Sequence, residues 1–327
     1  DVVATIQECC TAHNIKVPTL ISESGRAIAS HFSILIFNIL GTSSVCENIP
    51  KKGSNECLAV QNLRRTLSSI QEENRNSNKE MSNLQEAWND ALKFKADALN
   101  AFRLGYINLS ERAKAELLTW ACANELARRL PDDELIPQEL KDLNTALAET
   151  YYANLSVFRS APDTWAIEQL FPLMPIHRLT EKPTKLGHFA DLTCDSDGKL
   201  KRFINNGQSK SLLELHPLKQ GESYWIGMFL GGAYQEVMGN LHNLFGTTNA
   251  VHIRLTNNGD YKLDHVIRGN TKADVLESME HNPDQLLERL RMASELAIEN
   301  GKLKINDAQR LLEHLETSLR QITYLHE

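Results

Sequence analysis

Apolar positions recur at helical spacing over the first half of the chain and in short strand-like runs over the second. Val2, Ile6 and Cys9 or Cys10 share one stripe of an opening helix. Pro18 to Ile21 reads as a short apolar strand, which leads through SESGRA into a helix over Ala27–Leu40. Within that helix the most apolar run, Phe32–Leu40, is too short to cross a bilayer and reads as buried. A strand, a Gly-containing turn and a helix make one β/α unit, and ligands in such folds gather at the carboxyl ends of the strands. From about Cys46 to Tyr152 the pattern is almost purely helical. Lys51–Asn55 is a loop, and Met81, Leu84, Trp88, Ala91, Leu92, Leu99 and Phe102 form one apolar stripe. Asn108 with Glu111 has the form of a capping box ahead of a helix that runs to about Leu130 and stops at Pro131. A further helix is predicted over Gln138–Tyr151. These stripes describe a small helical bundle, and EENRNSNK (Glu72–Lys79) is a solvated break within it.

Beyond Tyr152 the texture changes. LFPLMPIH (Leu170–His177) carries two prolines and excludes a long helix. Strands are predicted at Ser211–Leu215, Tyr224–Leu230, Val251–Leu255 and Tyr261–Ile267, with the Asn-Gly of TNNGD turning a hairpin between the last two. Two helices close the chain. One opens at Asn282-Pro283, follows Leu286, Leu290, Ala293 and Leu296, and ends at Asn300-Gly301. The other carries Leu312, Leu315, Leu319 and Ile322.

Length, charge and cysteine usage narrow the class. A chain of 327 residues accommodates two domains, or one with a large insertion. A formal charge of −7 excludes a general nucleic-acid binder, and no run is long enough for a membrane span. The six cysteines (Cys9, Cys10, Cys46, Cys57, Cys122 and Cys194) show no CxxC pair and no zinc spacing, which fits a reducing cytoplasm. His177, His242, His252 and His265 lie at no metal-ligand spacing and read as structural or surface residues. Asp1 opens in the middle of a helical pattern, which marks the sequence as a piece of a longer protein.

Two stretches carry candidate chemistry. DLTCDSDGK (Asp191–Lys199) sets Cys194 directly before Asp195 on a Gly-ended turn, an arrangement that holds a thiol rigidly and accessibly. The competing reading of Cys194 is a small core hydrophobe, and Asp197 reads as a turn residue. In SESGRA, backbone N–H groups near Gly25 and the Arg26 guanidinium suit a phosphate, beside Glu23. A plain surface turn with a Glu–Arg ion pair accounts for the same four residues.

Taken in order, ISESGRA (Ile21–Ala27), PDTWAIEQLFPLMPIHRL (Pro162–Leu179), DLTCDSDGK and GMFLGGAYQEVMGNLHNLFG (Gly227–Gly246) resemble the carboxyl-terminal half of the biosynthetic arginine decarboxylases. These are pyridoxal-phosphate enzymes of the alanine-racemase-like fold, related to the ornithine and diaminopimelate decarboxylases, and the similarity runs down to the closing TYLHE. The resemblance implies an α+β fold. Residues 1–45 would be the last β/α unit of a (β/α)8 barrel and 46–150 a helical insertion. Residues 151–275 would be an antiparallel β-domain carrying the Cys194 turn, and 276–327 the carboxyl-terminal helices.

It also implies roles. Glu23 would face the pyridine nitrogen of the cofactor, and Gly25, Arg26 and the Tyr234 hydroxyl would hold its phosphate, although Ser24 stands where the ornithine enzymes have proline. Cys194, supplied to the neighbouring subunit, would deliver the proton to the carbon left after CO2 departs. Asp195 would meet the guanidinium of L-arginine. YYANLSVF (Tyr151–Phe158) lacks the aspartate that follows Asn in the ornithine enzymes, since Leu155 follows Asn154, which argues against short diamine-type substrates. Asp163 could replace that charge, but its position reads as an ordinary helix N-cap.

The cofactor-binding lysine, the ring-stacking histidine and the glycine-rich phosphate loop lie upstream in that family, and no lysine here stands in a matching context. The expected activity is therefore conversion of L-arginine to agmatine and CO2 in polyamine biosynthesis. This chain would be inactive alone and would act in a cytoplasmic homo-oligomer with shared active sites, together with the missing amino-terminal barrel half. Magnesium is implied by the family only. The alternatives are a decarboxylase of another basic amino acid or a carboxylated polyamine, or a non-catalytic regulatory subunit of the same family. Against the last stand Cys194, Asp195 and Tyr234, which a regulatory subunit has no need to keep.

Overall fold

The computed structural model describes residues 2–44, 48–72, 80–130 and 138–325. Helix α1 (Val2–Ala12) is followed by extended chain without regular structure, then a short helix α2 (Gly25–Ala29), a 3-10 turn (Ser30–Phe32) and strand β1 (Leu35–Ser43). The strand expected at Pro18–Ile21 is absent, because no other strand among the described residues lies beside it to complete its hydrogen bonds. The helix expected over Ala27–Leu40 is also corrected. Residues 35–40 of the apolar run lie in strand β1, where Phe37 and Ile39 are buried and Ile36 and Leu40 are apolar but exposed, so the run lacks the alternation of a strand and reads as a buried helix does.

Four helices follow: α3 (Leu58–Glu72), α4 (Glu80–Arg103), α5 (Leu109–Ala127) and α6 (Gln138–Leu147). They pack around Leu63, Leu84, Trp88, Leu118, Leu126 and Leu140, as the apolar stripes predicted, although Leu92 turns to solvent. Asn108 caps α5 by accepting from Glu111 N at 3.0 Å. The Glu111 carboxylate does not reciprocate. It accepts from Cys57 N at 2.8 Å and from Lys114 Nζ at 2.6 Å, tying α5 to the entry of α3. Deeper in the same entry, Glu56 is clasped by Arg64 through two bonds of 2.7 Å and receives Gly53 N at 2.9 Å. Cys46 and most of EENRNSNK lie outside the described residues.

The helix expected over Gln138–Tyr151 ends at Leu147, and Glu149–Ala153 is strand β2. Tyr151 is fully buried in the sheet core, a placement that favours an aromatic residue on a strand. Two short helices follow, α7 (Val157–Ser160) and α8 (Asp163–Ala166). The next strands are β3 (Leu173–Pro175), β4 (Lys185–Ala190), β5 (Lys199–Leu200), β6 (Phe203–Asn205), β7 (Gln208–Lys210), β8 (Leu213–Leu215) and β9 (Tyr224–Met228). One mixed sheet of seven strands runs β3-β9-β1-β2-β4-β5, with β8 also on β4; only the β2–β4 pair is parallel. Pro175 is accommodated because β3 is an edge strand. Phe37, Tyr151, Phe189, Phe203 and Tyr224 fill its core, which shares no residue with that of the bundle.

A further short helix, α9 (Gln235–Met238), precedes the hairpin of β10 (Ala250–Leu255) and β11 (Tyr261–Ile267). The hairpin turns where TNNGD predicted, with Thr256 N donating to Asp260 O at 2.8 Å. Helices α10 (Lys272–Ser278), α11 (Pro283–Glu299) and α12 (Ile305–Leu319) end the described chain. Asn282 caps α11 as expected. Helix α10 was not predicted, although Thr271 and Asp274 form a full capping box at its start. No helix among the described residues is long and apolar enough to cross a membrane.

Candidate active site

The SESGRA turn and the LGGAYQ turn are pressed together by backbone contact. Gly231 N and Gly232 N donate to Ser33 O and Ser30 O at 3.3 and 3.0 Å. A side chain at position 232 would stand 2.3 Å from Ala29 O, so only glycine permits this approach. Within the same turn Leu230 (φ 62°) and Tyr234 (φ 68°) both adopt the left-handed conformation, a local strain of the kind that collects at ligand sites. A cleft of about 610 Å³ opens at this junction, and Glu23, Gly25, Arg26, Phe171 and Tyr234 are among its walls. The Arg26 guanidinium lies over the Tyr234 ring at 4.9 Å from its centroid. The Tyr234 hydroxyl stands 3.8 Å from where a Gly25 Cβ would be. A cation, a phenol and a bare backbone on one wall supply donors of the kind that a compact anion requires, and the Glu23 carboxylate lines the same cleft.

Cys194 and Asp195 are elsewhere. Their turn is exposed and does not line the cleft. It is built on Asp191, which is buried and accepts from Thr193 N at 2.8 Å, Thr193 Oγ1 at 2.7 Å and Val157 N at 2.9 Å. Burial pushes the Asp191 carboxyl up, and these hydrogen bonds oppose the shift. Asp197 N donates to Asp195 Oδ1 at 3.0 Å, closing an Asx turn that holds one oxygen of that carboxylate. The Cys194 thiol is in contact with the Asn243 side-chain amide, 3.9 Å from its oxygen and 3.7 Å from its nitrogen. Next to Asn243, His242 stacks on Phe158 at 4.2 Å between centroids. Among the described residues no group of histidine, cysteine and carboxylate side chains is arranged to hold a metal.

Two domain signatures match this chain. The arginine decarboxylase helical bundle domain covers residues 54–144, and the arginine decarboxylase C-terminal helical extension covers residues 273–325. A biosynthetic arginine decarboxylase from Prochlorococcus marinus is 72% identical over 327 residues, which is 100% of this chain and 50% of that protein. One from Thermosynechococcus vestitus is 52% identical over 326 residues, covering 99% and 50%. The crystal structure of the biosynthetic arginine decarboxylase SpeA from Campylobacter jejuni superposes with a TM-score of 0.76 at 28% identity, over 100% of this chain and 51% of that one. The chain belongs to the biosynthetic arginine decarboxylase family. It spans about half the length of the curated relatives it matches and corresponds to their carboxyl-terminal half.

For an arginine decarboxylase family chain, the neighbours of the predicted residues are as informative as the residues themselves. Asn154, singled out for the missing aspartate beside it, is a clamp: its Nδ2 donates to Leu325 O at 2.8 Å and Asn38 Oδ1 at 3.0 Å. Asp163 is not an N-cap. Pro162 takes that position, and the Asp163 side chain, 5% exposed, is ion-paired with Arg26 at 2.9 Å. Gln235 and Asn243 escaped the sequence reading altogether, since an amide beside a tyrosine or histidine carries no local signal. His177 accepts a bond from Trp225 N at 3.0 Å, and the rings of His252 and His265 meet across the hairpin at 5.6 Å. Both arrangements fit the structural reading of these histidines.

Proposed function

We propose that this chain supplies half of the active site of a pyridoxal-phosphate-dependent L-arginine decarboxylase, which releases agmatine and CO2, and that it is inactive alone. The carrying observation is the cleft where Glu23, Arg26 and Tyr234, from two distant stretches, meet in a chain of this family. Its donor set fits the cofactor: a guanidinium and a phenol for the phosphate, and a carboxylate for the pyridine nitrogen. Bound there, pyridoxal phosphate would supply a ring that accepts the electron pair released as the substrate carboxylate leaves.

The residues of this chain would divide the remaining work. Arg26 and Tyr234 bind the phosphate oxygens, with Gly25 leaving room for them. Glu23 holds a proton on the ring nitrogen. Cys194, on its exposed turn, delivers a proton to the carbon left by CO2, in the site of a neighbouring subunit. Asp195 accepts the substrate guanidinium, with the Asx turn limiting its rotation. The division of the chain into a barrel end (1–45), helical insertion (46–150), β-domain (151–275) and closing helices (276–327) belongs to the same reading. So do a cytoplasmic homo-oligomer, a partner barrel half bearing the cofactor lysine, and a magnesium requirement.

The test is agmatine and CO2 release from L-arginine with added pyridoxal phosphate, on this chain alone and on the chain co-expressed with an amino-terminal half from the family. Activity only in the co-expressed sample is expected. Activity from the chain alone would mean that one of its own lysines holds the cofactor. No activity in either sample, with both halves folded and associated, would reject the decarboxylase reading in favour of a regulatory role.

A further inference from the structure

We propose that Asp163 is a positioning residue for the Arg26 guanidinium and that Gln235 anchors it, an inference that rests on Arg26 binding the cofactor phosphate. Asp163 and Gln235 are each 3% exposed, whereas the Arg26 side chain is 38% exposed. A carboxylate so deeply buried is costly to desolvate and holds its place only with full partnering. The Asp163 partners converge on one atom: Oδ2 receives Arg26 Nη1 at 2.9 Å and Gln235 Nε2 at 2.7 Å.

Gln235 grips the other end of the same residue. Its Oε1 accepts from Asp163 N at 3.1 Å, and its Nε2 donates a second bond to Ala233 O at 2.9 Å. The amide is thereby locked to its own turn and to both ends of Asp163. Tyr234 and Gln235 are neighbours in sequence, and they hold Arg26 from two directions. Tyr234 lies under the guanidinium plane. Gln235 acts through Asp163 on its edge.

A long, part-exposed arginine free to rotate would spend much of its time away from the cleft. Pinned by one N–H on Asp163 and by its face on Tyr234, Arg26 keeps most of its five donors for an anion in a set orientation. Recognition of the phosphate is therefore pre-organised in part by Asp163 and Gln235, which do not touch it, in the manner of partners behind metal ligands. The same contact joins the SESGRA turn to the sheet domain, so the phosphate site and the junction between these parts are one structure.

The test uses the full-length protein, stripped of cofactor and titrated with pyridoxal phosphate and with pyridoxal, which lacks the phosphate. Asp163→Asn should weaken pyridoxal phosphate roughly tenfold, the scale of one charge-assisted hydrogen bond, and leave pyridoxal within about twofold. Asp163→Glu, which keeps the charge, should recover part of the loss. Gln235→Leu should show a smaller loss of the same phosphate-specific kind. If Asp163→Asn binds pyridoxal phosphate as the wild type does, or loses both ligands in parallel with a lowered Tm, Asp163 is structural only and the inference fails. Failure of the wild-type protein to bind pyridoxal phosphate at all would reject the proposed function, and this inference with it.

Discussion

Gly198 lies against the Asp191 carboxylate so closely that a methyl group on it would stand 2.1 Å from Asp191 Oδ1 and 2.6 Å from Thr193 Oγ1. The two residues also share a backbone bond, Asp191 N to Gly198 O at 2.8 Å, which closes the base of the turn that presents Cys194. Gly198→Ala is expected to open that base. The overpacking should cost about 1–3 kcal/mol, read as a lower urea midpoint of the full-length protein. The rate of Cys194 alkylation should change with it. An unchanged midpoint and alkylation rate would show that the turn is not held by this contact.

The helical bundle should lose stability in acid through Glu56. Hydrogen bonding from Arg64 holds the Glu56 carboxyl at about 2, against an ordinary value of 4.5, and outweighs the desolvation that pushes it up. The folded value lies below the unfolded one. The stabilisation is therefore complete above about 4.5 and drains away as the pH falls toward 2. In Glu56→Gln the urea midpoint should vary less with pH over that window. Its stability at neutral pH should be lower by about 1.5–3 kcal/mol, the range for a hydrogen bond to a charged group, because Arg64 loses its charged partner. An unaltered pH slope in urea titrations would contradict the assignment.

Asn154 should be the fastening of the closing segment. Besides its two donated bonds, its Oδ1 accepts from Leu325 N at 3.2 Å, so one side chain holds both backbone groups of that residue. Asn154→Ala should cost about 1 kcal/mol, the net worth of a typical hydrogen bond, since both bonds to Leu325 are exposed to solvent. It should also speed hydrogen exchange at Tyr324 and Leu325 relative to α12. Equal exchange in both proteins would place the fastening elsewhere.

What the sequence reveals, and where it falls silent, follows the range of the interaction. The bundle stripes, the TNNGD hairpin and the Asn282 cap depend on residues a few positions apart, and each was legible. The central strand β1 was misread because its exposed face also carries apolar residues, Ile36 and Leu40 opposite the buried Phe37 and Ile39, which erases the alternation that marks a strand. Strands β5, β6 and β7 are two or three residues long and exist only by their pairing. The site divides in the same way. Glu23, Arg26, Cys194 and Tyr234 lie in long family motifs, but the Arg26–Asp163 pair joins residues 137 positions apart, and no local pattern announces it. Asp163 was assigned its most common local role, and a distant partner overrode it.

The bundle leaves the sheet and returns to it through neighbouring strands. Ser43 at the end of β1 is in register with Thr150 at the start of β2, so helices α3 to α6 occupy the place of a hairpin loop. The entropy of closing such a loop rises only by about 0.6 kcal/mol for each doubling of its length. A folded bundle whose two ends emerge side by side therefore adds less closure cost to the sheet than its length suggests. This strand pair is a socket, and the bundle, with a core of its own, is a cartridge plugged into the fold that carries the cleft.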